Sequence, residues 1–126
     1  MKKLESVAWV FSCDDKVLCV KTKGKDKYFI PGGKLEVSET NEIGLAREIQ
    51  EELNIKLVPS SIHHVFSVSD MAYGLEDTEL EMHCYTAEFT GNLMPDSEIE
   101  SMKWLDKSQL KMCAPAAQKV LWKVLK

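Results

Sequence analysis

Several features that would place a chain of this size in a familiar class are missing from it. No run of residues approaches the roughly 20 apolar residues that a membrane-spanning helix needs, and the N-terminal segment from Met1 to Glu5 contains no apolar signal region. The cysteines form no C-x-x-C pair and do not have zinc-finger spacing. We therefore predict a cytoplasmic protein with no membrane partner, whose cysteines are free thiols.

Positive charge is also scarce. The chain has 16 basic and 20 acidic residues, a net charge of −4, and Arg47 is its only arginine. A broad basic surface is absent, so we do not expect nucleic acid as a partner. The sequence also lacks internal repeats, low-complexity tracts and linkers. A length of 126 residues suits one domain with its own core. We predict a single domain over residues 1-126, either a monomer or a homodimer.

The acidic residues that are present concentrate in one segment. It reads Gly33-x5-Glu39-x7-Arg47-Glu48-Ile49-Gln50-Glu51-Glu52-Leu53-Asn54-Ile55. Each helical residue advances about 100°, so Glu48, Glu51 and Glu52 share one helix face. The predicted apolar face is roughly opposite and contains Ile43, Leu45, Ala46, Ile49 and Leu53.

Like charges at this spacing destabilise a helix by a few tenths of a kcal/mol unless a cation lies among them. Carboxylate oxygens are the ligands that Mg²⁺ and Mn²⁺ prefer. A solvated acidic face is the alternative. Gly44 favours a site, because glycine inside a helix is costly unless something approaches closely there. The turn Pro31-Gly32-Gly33 and the forked guanidinium of Arg47 favour it as well.

The flanking sequence alternates between strand and turn patterns. A helix is predicted from about Asn41 to Leu53, with Thr40 or Asn41 as its N-cap, and a second helix after Pro115. The turn signal Asp14-Asp15 suggests that the first two strands form a hairpin. The predicted strands are Val7 to Phe11, Val17 to Val20, Tyr28 to Ile30, Ile55 to Val58, Ile62 to Val68, Leu80 to Phe89 and Met102 to Leu105. Asp106 is predicted to cap a helical turn through Leu110.

The acidic segment resembles the Nudix box, G-x5-E-x7-R-E-U-x-E-E-x-G-U, in which U is a bulky aliphatic residue. Every position matches except the late glycine, which is Asn54 here. Asparagine is the next-best residue for a left-handed helix end, so this departure changes little. The resemblance is strongest from Phe29 to Ile55. It implies an α/β fold, specifically a Nudix-type α/β/α sandwich with a mixed β-sheet, which agrees with the predicted order of elements.

The resemblance also implies site residues. Glu48 and Glu52, then Glu51, correspond to metal ligands, and the Gly32 carbonyl completes the set. Glu39, Gly33 and Arg47 correspond to supporting residues, with Arg47 orienting an acidic side chain. The general base varies across the family, so a box glutamate such as Glu51 and a loop glutamate, Glu98 or then Glu100, stay open. The catalytic candidates are Glu48, Glu51, Arg47 and Glu98.

Candidates for substrate binding come from residue type alone. Tyr28, Phe29, Tyr73 and Trp9 each offer an aromatic face on which a base stacks, and packing is the alternative for each. Lys23 belongs to a lysine-rich turn from Lys21 to Lys27 that would attract polyphosphate or simply keep a loop solvated. Among the histidines, adjacent His63 and His64 point to opposite faces of a strand and do not make a common metal site, and His83 is expected to be a hydrogen-bonded structural residue.

The resemblance implies hydrolysis of a small nucleotide substrate, a nucleoside diphosphate linked to another group, with Mg²⁺ or Mn²⁺ as cofactor. A (deoxy)nucleoside triphosphate pyrophosphohydrolase similar to MutT is the first expectation, because the chain is short. Tyr73 lies at the spacing found in many dinucleoside polyphosphate hydrolases, which is the second. A non-catalytic nucleotide-sensing module is the third, although such modules usually lose box glutamates and this chain keeps them.

Overall fold

The computed structural model describes residues 1–126. Its strands are β1 (Lys2–Trp9), β2 (Ser12–Cys13), β3 (Lys16–Thr22), β4 (Gly32–Gly33), β5 (Lys56–Leu57), β6 (His63–Met71), β7 (Thr78–Thr86), β8 (Phe89–Thr90) and β9 (Ile99–Leu105). Its α-helices are α1 (Asn41–Leu53) and α2 (Pro115–Val124). Short 3₁₀ helices cover Pro59–Ser61 and Lys107–Met112, and Asp106 caps the second through a capping box, as predicted. Neither α1 nor α2 has the length and apolar character that a membrane crossing requires.

The strands form one mixed sheet and two antiparallel ones. The four-stranded sheet has the order β4-β1-β7-β6, in which β1 runs parallel to β7 and the other pairs are antiparallel. The three-stranded sheet has the order β2-β3-β9, and β5 pairs with β8. The prediction of a mixed sheet is confirmed.

Two apolar clusters lie between these sheets and the helices. One contains Val120 and Leu121 of α2 packed against residues such as Ala8. The other contains Leu45, Ile49 and Leu53 of α1 with partners such as Val7, Trp9 and Leu18. Helices therefore cover both sides of the sheets, and the predicted α/β/α sandwich is confirmed.

The predicted bounds of α1 hold, and its ends have identifiable causes. The Thr40 hydroxyl accepts a hydrogen bond from the Ile43 amide at 3.2 Å, which makes Thr40 the N-cap. Asn54 ends the helix with φ 62°, and its amide donates to the Gln50 carbonyl at 3.0 Å. Asparagine therefore takes the place of the box glycine at the helix end. Ile43 was wrongly assigned to the apolar face, since it is 62% exposed next to the cap.

The prediction that the first two strands form a hairpin was wrong in its partner strand. Asp14 and Asp15 do form a tight turn with positive φ, but it joins only the short β2 to β3. Strand β1, which precedes this turn in the chain, pairs in parallel with β7 and not with β3. The reason is visible in the four consecutive buried residues from Val7 to Val10, because a strand buried on both faces belongs in the middle of a covered sheet.

Candidate active site

Strand β4 consists of Gly33, the first residue of the box, and Gly32 before it, and it lies between β1 and α1. Gly33 pairs with Val7 and Gly32 with Ala8. A Cβ atom on Gly33 would overlap the Glu48 carboxylate, and a Cβ atom on Gly32 would overlap the Val7 carbonyl. The Gly32 amide donates to Glu52 Oε1 at 3.2 Å. Gly32 must be glycine because the β1 backbone occupies the space of a side chain, whereas a side chain at position 33 would displace the Glu48 carboxylate.

Gly44 has the same role on the helix side. A Cβ atom there would overlap the side chain of Leu35 and lie 3.1 Å from Glu39 Oε1. The group that approaches the helix closely at Gly44 is therefore the box loop, through Leu35 and Glu39. It holds Glu39 against the helix, next to Arg47.

Arg47 connects the acidic residues of the site. Its Nε and Nη2 atoms donate to both oxygens of Glu39, at 2.6 and 2.9 Å. Its Nη1 atom donates to Glu48 Oε1 at 2.9 Å and to Glu51 Oε1 at 3.3 Å. Nη2 also donates to the Lys34 carbonyl at 3.2 Å. One guanidinium thus positions three carboxylates and the box loop, an arrangement that the point charge of a lysine cannot reproduce.

The site holds its carboxylates in contrasting electrostatic states. The Arg47 guanidinium lowers the pKa of Glu39 to about 2, so this carboxylate stays charged. Burial is the main cause that raises the pKa of Glu52 to about 8, and the charges of Glu48, Glu51 and Glu98 contribute to this rise. The hydrogen bond from the Gly32 amide opposes it. Burial also raises the pKa of Glu48, and Arg47 opposes that rise.

The donor set fits a hard divalent cation. Glu48 and Glu52 are partly desolvated carboxylates held against adjacent residues of β4, and Glu51, whose side chain is 52% exposed, extends from the same helix face. A positive ion would reverse the penalty that burial and mutual repulsion place on the charged forms of Glu48 and Glu52. Gly32 contacts Glu52 through its amide, and the role of its carbonyl as a ligand stays a prediction.

Glu98 lies at the edge of the same site, whereas Glu100 does not. The loop before β9 packs on the C-terminal end of α1, where the Asp96 amide donates to the Glu52 carbonyl at 2.9 Å. This places the exposed Glu98 within electrostatic range of Glu52. Glu100 forms an ion pair with Lys21 at 3.1 Å. Of the two loop candidates, the geometry favours Glu98.

A cavity of about 350 Å³ adjoins the box and contains some of the predicted substrate-binding residues. Glu52, Gly32 and Gly33 form part of its wall. Phe29 and Tyr73 also line it, with ring centroids 6.2 Å apart, and the Tyr73 hydroxyl donates to Asp26 at 2.6 Å. The remaining wall is mainly apolar and includes Val20, Met71, Leu80, Met82 and Ile99.

Three aromatic or lysine candidates lie elsewhere. Tyr28 pairs through its backbone with Cys113, its hydroxyl lies 3.3 Å from that of Ser101, and it does not line the cavity. Lys23 is exposed, with its amide bonded to the Glu98 carbonyl. Trp9 is fully buried in the core. Substrate binding by Tyr28 and by Lys23 stays a prediction, whereas for Trp9 the alternative of core packing holds. Strand pairing and core packing, which residue type does not show, determine which side chains line the cavity.

Two lysines that residue type did not single out line the cavity instead. They are Lys25, from the same lysine-rich turn as Lys23, and Lys34, which follows the box glycines directly. The sequence signal that could have identified Lys34 was its position directly after Gly33. Only the three-dimensional course of the turn shows that Lys25, and not Lys23, lines the cavity.

Comparison with known proteins identifies the family of the chain. A model of the NUDIX domain matches residues 1–125, and the chain therefore belongs to the Nudix family. An uncharacterized Nudix hydrolase of Bacillus subtilis strain 168, YvcI, is 28% identical over 102 residues, which are 80% of this chain and 65% of YvcI. The chain thus spans about two thirds of that relative.

Solved structures share the fold over nearly the whole chain. The solution structure of the E. coli ORF135 protein superposes with a TM-score of 0.73 at 27% identity, covering 97% of this chain and 88% of that one. The crystal structure of a MutT NUDIX hydrolase from Burkholderia pseudomallei has a TM-score of 0.79 at 22% identity, covering 98% and 99%. At that identity the second likeness concerns the fold alone.

Proposed function

We propose that this chain is a metal-dependent pyrophosphohydrolase that cleaves a phosphoanhydride bond of a (deoxy)nucleoside triphosphate. The observation that carries the proposal is the position of Glu52. This glutamate belongs to the acidic face of α1 and also to the wall of the cavity that contains Phe29 and Tyr73. A ligand in the cavity would therefore have its polar end at the box carboxylates.

The cavity offers complementary groups to the two ends of a nucleotide. The rings of Phe29 and Tyr73 and the apolar wall suit a base, since stacking needs an aromatic face. The ammonium groups of Lys25 and Lys34 suit phosphate oxygens. The substrate in this proposal is a small-molecule nucleotide. The proposal also includes a cytoplasmic location and neither nucleic acid nor membrane as a partner.

Glu48 and Glu52 would hold Mg²⁺ or Mn²⁺, with Glu51 and the Gly32 carbonyl as further ligands. When bound, the ion neutralises phosphate charge and lowers the pKa of a water. Arg47 keeps Glu48 and Glu51 in place through Nη1. Glu98 is exposed and lies within electrostatic range of Glu52, and its carboxylate would accept a proton from the attacking water. In this scheme the chain contributes mainly positioning and charge.

The test is a product-resolved screen with Mg²⁺ and with Mn²⁺. Nucleoside di- and triphosphates, dinucleoside polyphosphates and nucleotide sugars are incubated separately with the protein. Release of pyrophosphate and a nucleoside monophosphate from a triphosphate supports the proposal. Saturable nucleotide binding without turnover of any compound would show a binding module and contradict it.

A dinucleoside polyphosphate hydrolase is the second candidate. The observation in its favour is that Tyr73, the residue at the spacing of that class, lies in the cavity wall beside Phe29. The same screen separates the two functions. Faster turnover of a dinucleoside polyphosphate than of any triphosphate would favour the second.

Replacing Gly33 by alanine is expected to lower activity about 10- to 100-fold while leaving the protein folded. The new Cβ atom would take the place of the Glu48 carboxylate, which is the free end of a flexible side chain and moves at little cost. Activity, Mn²⁺ affinity and circular dichroism check this outcome. The matched control is Gly33→Ala in a Glu48→Gln background, where it should have little further effect. Full additivity there would show that Gly33 acts on something other than Glu48.

Arg47→Lys is expected to weaken metal affinity and activity about tenfold although the charge is kept. Lysine cannot replace the paired contacts with Glu39 or reach Glu48 and Glu51 at the same time. Metal titration and turnover measure the effect, and circular dichroism follows folding. A double-mutant cycle with Glu39→Gln tests the physical cause, because the two changes should be strongly non-additive. Parental metal affinity and activity in Arg47→Lys would show that the forked contacts of Arg47 do not position the metal ligands.

A further inference from the structure

A second cluster of ligand-type side chains lies on the four-stranded sheet, outside the residues of the candidate active site. Glu5 of β1 and Glu81 and His83 of β7 place ligand atoms within 4.8 Å of one another. His83 Nε2 lies 3.0 Å from Glu5 Oε1 and 4.0 Å from Glu81 Oε1. Because side chains alternate along a strand, these residues share the sheet face of Val7 and Tyr85, on the α1 side. Helix α1 packs against β1, β4 and β5, and the cluster stays accessible to solvent.

The strand register brings the two glutamates together. Glu5 and Glu81 are direct partners in the parallel pair β1–β7. Like charges directly opposite each other destabilise a sheet. The nearby Lys3 does not relieve them, since it contacts Glu79 at 3.7 Å. The fold therefore holds two carboxylates side by side with an imidazole as their nearest partner.

The orientation of the imidazole suits a ligand. His83 Nδ1 lies 2.8 Å from the Ser67 hydroxyl, which lies 3.0 Å from His64 Nε2. This chain of hydrogen bonds positions the ring and directs Nε2 towards the glutamates. Metal-bound histidines are generally oriented in this way, with the second ring nitrogen hydrogen-bonded outside the ligand set. His83 is also the least exposed of the three, with 22% of its side chain accessible.

We propose that Glu5, Glu81 and His83 form a second metal site, selective for a divalent transition-metal ion such as Zn²⁺. Imidazole nitrogen and carboxylate oxygen are both ligand types that Zn²⁺ takes, and three protein ligands leave one of its four coordination positions open. The candidate active site, in contrast, offers oxygen ligands only, which suit Mg²⁺. An ion at the second site would link β1 to β7, two adjacent strands that no turn connects, and would stabilise the folded state by binding to it.

The test uses Zn²⁺ as the probe and full-length protein in which the exposed Cys13 is replaced by serine, because a free thiol would also bind zinc. Excess Mg²⁺ is added to compete with Zn²⁺ for the carboxylates of the candidate active site. Calorimetry then measures Zn²⁺ binding, and nuclear magnetic resonance follows the ring nitrogens of the histidines. We expect saturable binding, a large shift of the Nε2 resonance of His83, and a higher midpoint of thermal unfolding with Zn²⁺.

Matched variants separate this site from adventitious binding. His83→Gln and, independently, Glu81→Gln are expected to abolish the Zn²⁺ response, so the test stands even if one of them folds poorly. The control His63→Gln, an exposed histidine of β6 outside the cluster, should bind like the parent. Ser67→Ala should weaken binding about tenfold by releasing the ring. Unchanged His83 resonances on addition of Zn²⁺, or equal Zn²⁺ binding by the His83→Gln protein, would overturn the proposal.

Discussion

Hydrolysis of the nucleoside triphosphate is expected to fall by a factor on the order of 10³ or more in excess chelator and to return when Mg²⁺ or Mn²⁺ is added. Without a cation, Glu48, Glu51 and Glu52 present negative charge to an anionic substrate. The raised pKa of Glu52, about 8, reflects how poorly the buried site tolerates that charge alone. A bound divalent ion would offset both the repulsion between these carboxylates and the substrate and the cost of a negative charge on buried Glu52.

The measurement is turnover at fixed substrate, first with chelator and then with metal restored. Adding a monovalent salt to the same ionic strength is the control, because general screening should not restore activity in a partly desolvated site. Activity that persists unchanged in excess chelator would exclude the metal mechanism.

Glu52→Gln is expected to lower activity at least about 100-fold while the protein stays folded. Glutamine keeps the size of the side chain but removes the charge that would hold the cation, and a loss of about 2.7 kcal/mol in transition-state stabilisation corresponds to this factor. Glu52 also lies in the cavity wall, so its loss affects the point where metal and substrate meet.

The same substitution is expected to stabilise the metal-free protein above neutral pH. The pKa of Glu52 rises from 4.5 to about 8 in the folded protein, mainly because of burial. The folded state therefore binds more protons than the unfolded state between these values, and the stability of the parent falls as pH rises from about 4.5 through about 8. Glutamine does not titrate, so its advantage should grow over this range, to an amount on the order of 4 to 5 kcal/mol.

Chemical denaturation in chelator at several pH values measures this difference, alongside turnover with Mg²⁺. Glu42→Gln is the control, since Glu42 is an exposed residue in the first turn of the same helix and should change neither quantity much. Near-normal turnover of Glu52→Gln would show that another residue is the ligand. A stability difference that does not vary with pH would show that Glu52 does not titrate as described.

The sequence by itself determined the features that depend on neighbours along the chain. The bounds of α1, the shared face of Glu48, Glu51 and Glu52 and the role of Asn54 at the helix end follow from helical periodicity, capping chemistry and the box pattern. Capping chemistry also restricted the N-cap to Thr40 or Asn41. The α/β/α architecture with a mixed sheet was also predictable, because the order of strands and helices restricts how they pack.

Only the tertiary structure decided which distant residues meet. The pairing of β1 with β7, the choice of Phe29 over Tyr28 and of Lys25 over Lys23 in the cavity, and the grouping of Glu5, Glu81 and His83 all join segments that are far apart in sequence. The pKa of Glu52 belongs here too, since burial by several elements sets it. Local patterns record hydrogen bonding and periodicity within an element, whereas strand register and burial result from packing the whole chain.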